Sequence, residues 1–422
     1  MHDNPALTAA AAAAEHVVPL FVLDDAVLGS AAAPNRVAFL GETLRDLSAS
    51  CGGTLAVRRG ETVAEVVRLA RDVGATAVFL AEDASAFAQR RERRLAEQLE
   101  VRSFPSTSVV GIDAVRTTAG GSYRIFTPYF RAWLQTPRRA VLEPPRLAPP
   151  PGLEPGELPR LDAVASPDRA RGGEREGRAR LRRFVRTGLA VYAERADDLA
   201  ADATSRLSPY LHFGCVSPLE LERSASESPA FVRQLAWRDF FLQLLDAAPE
   251  TVHRDLRPRR APWREDPEAL EAWKEGRTGY PIVDAGMRQL RREGWLPNRA
   301  RLVAASFLTK TLGIDWRRGA EHFAELLVDA DVASNTGNWQ WAAGTGADPR
   351  GNRILNPLRQ AARFDPNGDY VRRHVPELVG IPGGAVHTPW ELPGAGDYPR
   401  PIVDHTDAAE RFRTEARRPD SI

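Results

Sequence analysis

The chain has 422 residues, 43% apolar and 27% charged, with 57 basic against 56 acidic side chains and a net charge of +1. That length exceeds one ordinary core and implies two or three domains. The balance excludes a mostly disordered chain, a collagen-like chain and a uniformly basic nucleic-acid coat, and two distant cysteines, Cys51 and Cys215, exclude a cysteine-rich zinc site.

The start, Met1-His2-Asp3-Asn4-Pro5, lacks the basic region of a signal peptide, and Ala9 to Ala14 reads as an alanine-rich helix. No apolar run reaches the roughly 18 residues of a membrane span, so a cytoplasmic protein is expected. Residues 16 to 110 alternate between two periods. Val17 to Leu23, Thr54 to Val57 and Ala77 to Leu80 read as strands; Asn35 to Leu47, Thr62 to Val73 and a charged stretch through Leu99 read as helices. Such alternation predicts a parallel sheet covered by helices. No Gly-x-Gly-x-x-Gly follows a strand, so a dinucleotide fingerprint is absent. Between Pro144 and Pro159 stand seven prolines. They preclude a helix and mark a linker, placed at 144–171 between an α/β domain (1–143) and a helical domain (172–422).

Beyond Gly172 the period becomes helical: Leu181, Phe184, Val185, Leu189 and Tyr192 share a face. Eight of the nine tryptophans lie between Trp237 and Trp390, which predicts either a very aromatic core or a planar ligand. Four segments carry polar chemistry. Thr204-Ser205-Arg206-Leu207-Ser208 offers hydroxyls and free N–H groups to an anion, or is an ordinary helix cap. Trp237-Arg238 sets a stacking ring beside a cation, or belongs to an amphipathic helix. In Asn298-Arg299-Ala300-Arg301, Asn298 and Arg301 share a helix face, and a buried arginine there needs an anionic partner. Asp329, Asp331, Asn335, Trp339 and Trp341 supply carboxylates, an amide and indoles. The eight histidines are scattered and no second carboxylate cluster exists, so a polar heterocycle fits better than a metal.

These segments, with Thr278-Gly279-Tyr280-Pro281-Ile282-Val283-Asp284-Ala285 and Asn356-Pro357, resemble the photolyase/cryptochrome family, and within it the bacterial class I enzymes that act on cyclobutane pyrimidine dimers. The resemblance runs from about Tyr192 to Pro376. It implies an N-terminal parallel α/β sandwich domain and a C-terminal all-α domain holding folded FAD. It would place Tyr192 and Thr204, Ser205, Arg206, Leu207 and Ser208 around the FAD phosphates, with Arg238 also in contact. Arg301 and Asp329 would pair beside the ring, Asp331 would bond its polar edge, and Asn335 would face N5. Trp263, Trp316 and Trp339 match a three-indole electron relay. Trp237 and Trp341 match walls of a lesion pocket, with Gln234, Asn298, Arg299 and Arg353 as its polar lining. The implied reaction is light-driven repair of pyrimidine dimers in DNA by a monomer, with no membrane partner. A folate or deazaflavin antenna is also implied, without a residue signature to choose between them. Arg254 to Arg264 could meet DNA phosphates, or be a solvated surface run.

Three departures qualify this. Gln234 stands where repair enzymes of the family carry glutamate, and it cannot share a proton with a lesion radical. Leu302 stands where methionine is common. Family members also carry a first strand before His-Asp-Asn-Pro, so the sheet is expected to lack a central strand. The rival reading is a blue-light receptor that binds FAD without repairing DNA. A third is a flavoprotein with neither activity.

Overall fold

The computed structural model describes all residues except 29–32, 162, 260, 349–352, 393–395 and 417–422. In the N-terminal half, strand β1 (Leu20–Leu23) pairs in parallel with β2 (Ala56–Arg59), and β3 (Ala77–Ala81) with β4 (Glu100–Phe104). Helices α1 (Pro5–Ala13), α2 (Pro34–Ser50), α3 (Thr62–Val73) and α4 (Ala86–Ala96) alternate with them. Parallel pairing agrees with the expected alternation. The strands nevertheless form two separate ladders, and among the described residues no third strand joins either. Helix α1 packs across β3 and β4. Strand β4 escapes a reading of the sequence because Glu-Val-Arg-Ser-Phe shows only a weak alternation; its pairing with β3 defines it.

Helix α3 has the termini its sequence dictates. Glu61 accepts from the Ala64 N–H at 2.9 Å, and Gly74 takes the left-handed conformation that ends the helix. The proline-rich stretch is laid along β2 rather than free in solvent. The Val57 N–H bonds the Pro155 carbonyl at 2.6 Å, and the Arg58 side chain bonds the Glu154 carbonyl at 2.8 Å. A Cβ on Gly156 would stand 2.4 Å from the Val57 oxygen, so only glycine allows this approach.

The rest is helical. The elements that build and surround the site are α5 (Phe126–Gln135), α6 (Glu174–Arg183), α7 (Pro229–Ala247), α8 (Pro281–Glu293), α9 (Asn298–Ser306), α10 (Trp316–Leu326) and α11 (Val332–Ala343). No helix among the described residues is long and apolar enough to cross a membrane. One core joins the two halves. Phe39 of α2, Val109 of the segment after β4, and Trp133 of α5 pack with Leu181 of α6 and Phe240 of α7. Asp239, buried on α7, clasps this seam: one oxygen, Oδ2, accepts from the Val109 N–H (2.9 Å), the Val110 N–H (3.3 Å) and Trp133 Nε1 (2.9 Å), while Oδ1 has no partner.

Burial pushes the Asp239 carboxyl up to about 6, against the pull of Trp133, Arg238 and the two amides. An unfolded Asp ionises near 3.9. The native state therefore holds the extra proton between about pH 4 and pH 6, and this group's contribution to stability falls as pH rises through that window. Asp239→Asn can keep all three acceptor bonds on its single oxygen. It is expected to flatten that slope, whereas Asp239→Ala orphans three donors and costs about 3 kcal/mol. Denaturant melts at either end of the window check both; an unaltered slope in D239N would assign the titration elsewhere.

Candidate functional site

The turn between α10 and α11 carries Asp329 and Asp331. Asp331 caps α11 by accepting from the Ser334 N–H at 2.7 Å. Asn335 and Trp339 follow at successive four-residue steps, so all three lie along one stripe of α11. Asn335 Nδ2 donates to the Ala320 carbonyl of α10 at 3.1 Å. Arg301, on α9, sends Nη2 to both oxygens of Asp329 at 3.0 and 2.8 Å. The Asp329 side chain is 3% exposed and that of Arg301 is partly open to solvent, so the expected ion pair is formed with its carboxylate buried. Burial acts to raise the Asp331 carboxyl. The charges of Arg238 and His212 and the Ser334 contacts outweigh it, and hold Asp331 below the usual carboxylate range. His212 faces the same carboxylates; burial pushes its imidazole down, with Asp331 and Asp329 opposing. Arg238 also reaches across the seam to the Thr107 carbonyl.

The loop 202–208 forms a strained cradle. Asp202 and Arg206 both have positive φ (48° and 51°), unusual for residues with a Cβ. Between them the Thr204 hydroxyl is buried with no protein partner. A buried hydroxyl left open in a loop before a helix suits a phosphate oxygen, so the residues present fit a dinucleotide. Arg206 itself is otherwise engaged. Its guanidinium meets Asp202 and Glu293, each at 2.7 Å, and lies 4.2 Å over the Trp295 ring. The Trp295 indole N–H donates to Ser208 Oγ at 3.1 Å. Sequence reasoning misses Glu293 and gives Trp295, at the start of the segment that runs to Arg301, no role; the available signal is a glutamate and an indole flanking a helix-ending glycine. Tyr192 packs edge-on against Phe184 and Phe231, and burial raises its hydroxyl to about 12.

On the opposite side of α9 lies a cavity of about 150 Å³, lined by Arg299, Leu302, Ser306 and Lys310 together with Trp341 and Arg353. The first four continue one stripe from α9 into the π-helical turn Phe307–Leu312. Arg299 pairs with Asp197 at 2.6 Å and stacks 4.1 Å over Phe364, leaving its Nε buried without a partner. Lys310 donates to the Arg353 carbonyl at 2.6 Å, and burial pushes its ammonium down to about 8, with Asp348 opposing. Of the residues expected at a lesion pocket, Arg299, Trp341 and Arg353 thus meet. Asn298 is exposed beside them at the start of α9, and Gln234 is exposed on α7. Trp237 does not line this cavity; it is stacked at 3.7 Å on Phe126.

Trp316 and Trp339 are buried in one core, and half-buried Trp263 packs against it. Trp316 Nε1 bonds Asp255 at 2.8 Å. The backbone of Arg264 bonds Gly313 at 2.8 Å, tying the Trp263 segment to the turn before α10. Trp273, which no sequence motif marks, stands edge-on to Trp339 at 6.0 Å. Within the arginine run, Arg257, Arg259 and Arg264 bond protein groups; Arg260 lies outside the described residues. Among the described residues no three side chains form a metal site.

Residues 1–151 match the family model described as DNA photolyase, and residues 231–418 the one described as FAD binding domain of DNA photolyase. A deoxyribodipyrimidine photo-lyase of Streptomyces griseus is 50% identical over 98% of this chain and 96% of its own length. A cryptochrome DASH of Danio rerio is 35% identical over 100% and 91%. Among solved structures, a bacterial class III photolyase from Agrobacterium tumefaciens superposes with a TM-score of 0.88 at 34% identity, covering 98% and 94% of the two chains. An archaeal photolyase from Sulfolobus tokodaii, solved with two FAD molecules, gives 0.87 at 30%, covering 98% and 96%. With a carboxylate–guanidinium pair, a loop holding a buried unpartnered hydroxyl and an indole-rich helical core in one chain, these matches establish that the protein belongs to the photolyase/cryptochrome family.

Proposed function

We propose that the protein repairs cyclobutane pyrimidine dimers in DNA by light-driven electron donation, as a deoxyribodipyrimidine photo-lyase. One observation carries this reading: α9 divides two sites. Arg301 faces the carboxylate turn, while Arg299, two residues away and so on the other side of the helix, faces the cavity. Donor and acceptor are then separated by about one helix.

FAD, when bound, supplies the blue-light-excited electron donor. The residues that would hold it are Tyr192, Thr204, Ser205 and Ser208, the backbone of Arg206 and Leu207, and Arg238, Arg301, Asp329, Asp331 and Asn335. The open Thr204 hydroxyl and the loop's N–H groups bind phosphate oxygens. Asp331, kept ionised, accepts from a ring-edge N–H. The Arg301–Asp329 pair fixes the turn that presents it. In the cavity, Trp341 offers a stacking face, and Arg299 and Arg353 offer positive charge to base carbonyls and the flanking phosphates. Asn298 and Gln234, both exposed, add amides that hydrogen-bond without exchanging a proton. A dimer enters by leaving the helix stack, which costs less for a lesion already poorly stacked. Trp263, Trp316 and Trp339 serve to refill the donor from the surface.

Protein carrying reduced FAD, mixed with an oligonucleotide bearing one thymine dimer, is expected to restore two thymines under blue light and none in darkness. Chromatography of the digested strand reads this directly. Light-induced flavin changes with the dimer intact would leave the receptor reading in its place.

A further inference from the structure

Two side chains of the α/β half reach the end of α10, just before the carboxylate turn, and the repair reading leaves them unused. They are Asn35 and Arg36, in the first turn of α2. Asn35 is 2% exposed; it accepts from the Ser166 N–H at 2.7 Å and donates to Ser166 Oγ at 2.9 Å and to the Leu326 carbonyl. Arg36 Nη1 donates to the Leu327 carbonyl at 3.1 Å and to the Ala324 carbonyl. These carbonyls belong to the last turn of α10 and to Leu327, which caps it, where no intrahelical N–H remains to meet them and the helix dipole favours a cation. The next residues are Val328 to Asp331. The Val328 N–H bonds the Gly294 carbonyl at 2.9 Å, so the end of α8 joins the same knot. Gly294 has φ +59°, and a Cβ there would stand 2.6 Å from the Asn35 amide nitrogen. Burial pushes the Arg36 guanidinium down, and the charge of Asp329 opposes that, so the two groups share one electrostatic environment.

We propose that Asn35 and Arg36 are positioning residues for the flavin pocket: they hold the end of α10 so that Asp329 and Asp331 meet Arg301 and the cofactor. Flavin affinity then depends on the α/β half, which supplies no expected flavin ligand. The inference rests on the reading that Asp329 and Asp331 border the flavin.

The test uses the full chain. Arg36→Met is expected to bind FAD about tenfold more weakly, the usual loss when a charged hydrogen-bond partner is removed, and to shift the flavin midpoint potential. Arg36→Lys keeps the charge but not the fork, and is expected to recover to within about threefold of the parent. A role confined to capping α10 would lower the melting temperature of the apoprotein and leave affinity and potential unmoved. Asp329→Asn is the reference. Normal FAD binding in R36M beside weakened binding in D329N overturns the inference alone. Normal binding in both overturns the placement of the flavin instead. Should R36M not fold, Asn35→Ala decides in the same way: weakened FAD binding supports the inference, and unchanged binding removes it.

Discussion

Asp329→Ala is expected to release flavin and to destabilise the fold by about 3 kcal/mol, the scale seen when one partner of a buried ion pair is removed. The geometry explains the size. The Asp329 side chain is 3% exposed and that of Arg301 25%, so water can reach the stranded guanidinium only in part. Arg301 would keep its bond to the Leu296 carbonyl at 2.9 Å but lose both carboxylate contacts. The turn suffers as well, because the Asp331 N–H bonds the Asp329 carbonyl at 2.7 Å and Asp331 caps α11. A looser turn misplaces Asp331 and Asn335 together, the groups proposed to meet the flavin's polar edge and its N5. Asp329→Asn, which keeps an acceptor without the charge, should lie between the parent and the alanine variant. Adding Arg301→Met to Asp329→Ala should recover part of the stability, since the unpaired charge goes with it; residues in such contact couple by about 0.5–3 kcal/mol. Denaturant melts and the flavin-to-protein absorbance ratio measure both effects. Stoichiometric flavin and an unshifted melt in D329A would remove the ion pair from the site.

How far the site can be read in the sequence depends on how far each contact reaches along the chain. Asp331, Asn335 and Trp339 recur at helical spacing, so their common stripe is visible locally. The hydroxyl-rich loop at 204–208 is also a local pattern. The clamp between Asn35 and Leu326 spans 291 residues, and that between Arg206 and Glu293 spans 87. Neither leaves a periodic trace, so both emerge only from the folded chain. Arg206 illustrates the consequence: a cation in a phosphate loop reads as a phosphate ligand, yet two carboxylates already hold it. The same limit applies to the strands. Alternation predicts parallel pairing, but which edges meet depends on tertiary packing, and here the four strands remain two pairs. Trp237 shows a third kind of limit. Its position beside Arg238 is plain, while its partner, Phe126, lies 111 positions earlier and covers one face of the indole.

Gly319→Ala, the addition of one methyl group, should slow photoreduction of oxidised flavin by displacing Trp339, one of the three indoles proposed as a relay. Gly319 lies on α10 one turn beyond Trp316. A Cβ there would stand 2.2 and 2.5 Å from two ring carbons of Trp339 and 2.6 Å from a Leu308 methyl. The indole has no room to yield: it is 2% exposed, with Phe323 at 4.9 Å and Trp273 at 6.0 Å. Alanine favours the helix by about 1 kcal/mol over glycine. Overpacking a filled core costs about 1–3 kcal/mol, and contacts this short belong at the upper end, so the clash wins and a net loss of about 1–2 kcal/mol results. Electron hopping depends on close ring spacing, so the displaced indole should slow photoreduction more than the modest loss of stability suggests. Trp263→Phe provides the contrast. Trp263 is half-buried at the rim beneath the Arg259 guanidinium, so its replacement should slow photoreduction with little change in stability or flavin content. The two variants together separate a relay from a packing effect. If G319A loses stability while both variants photoreduce at the parental rate, the indoles at 263, 316 and 339 are core residues and the electrons take another route.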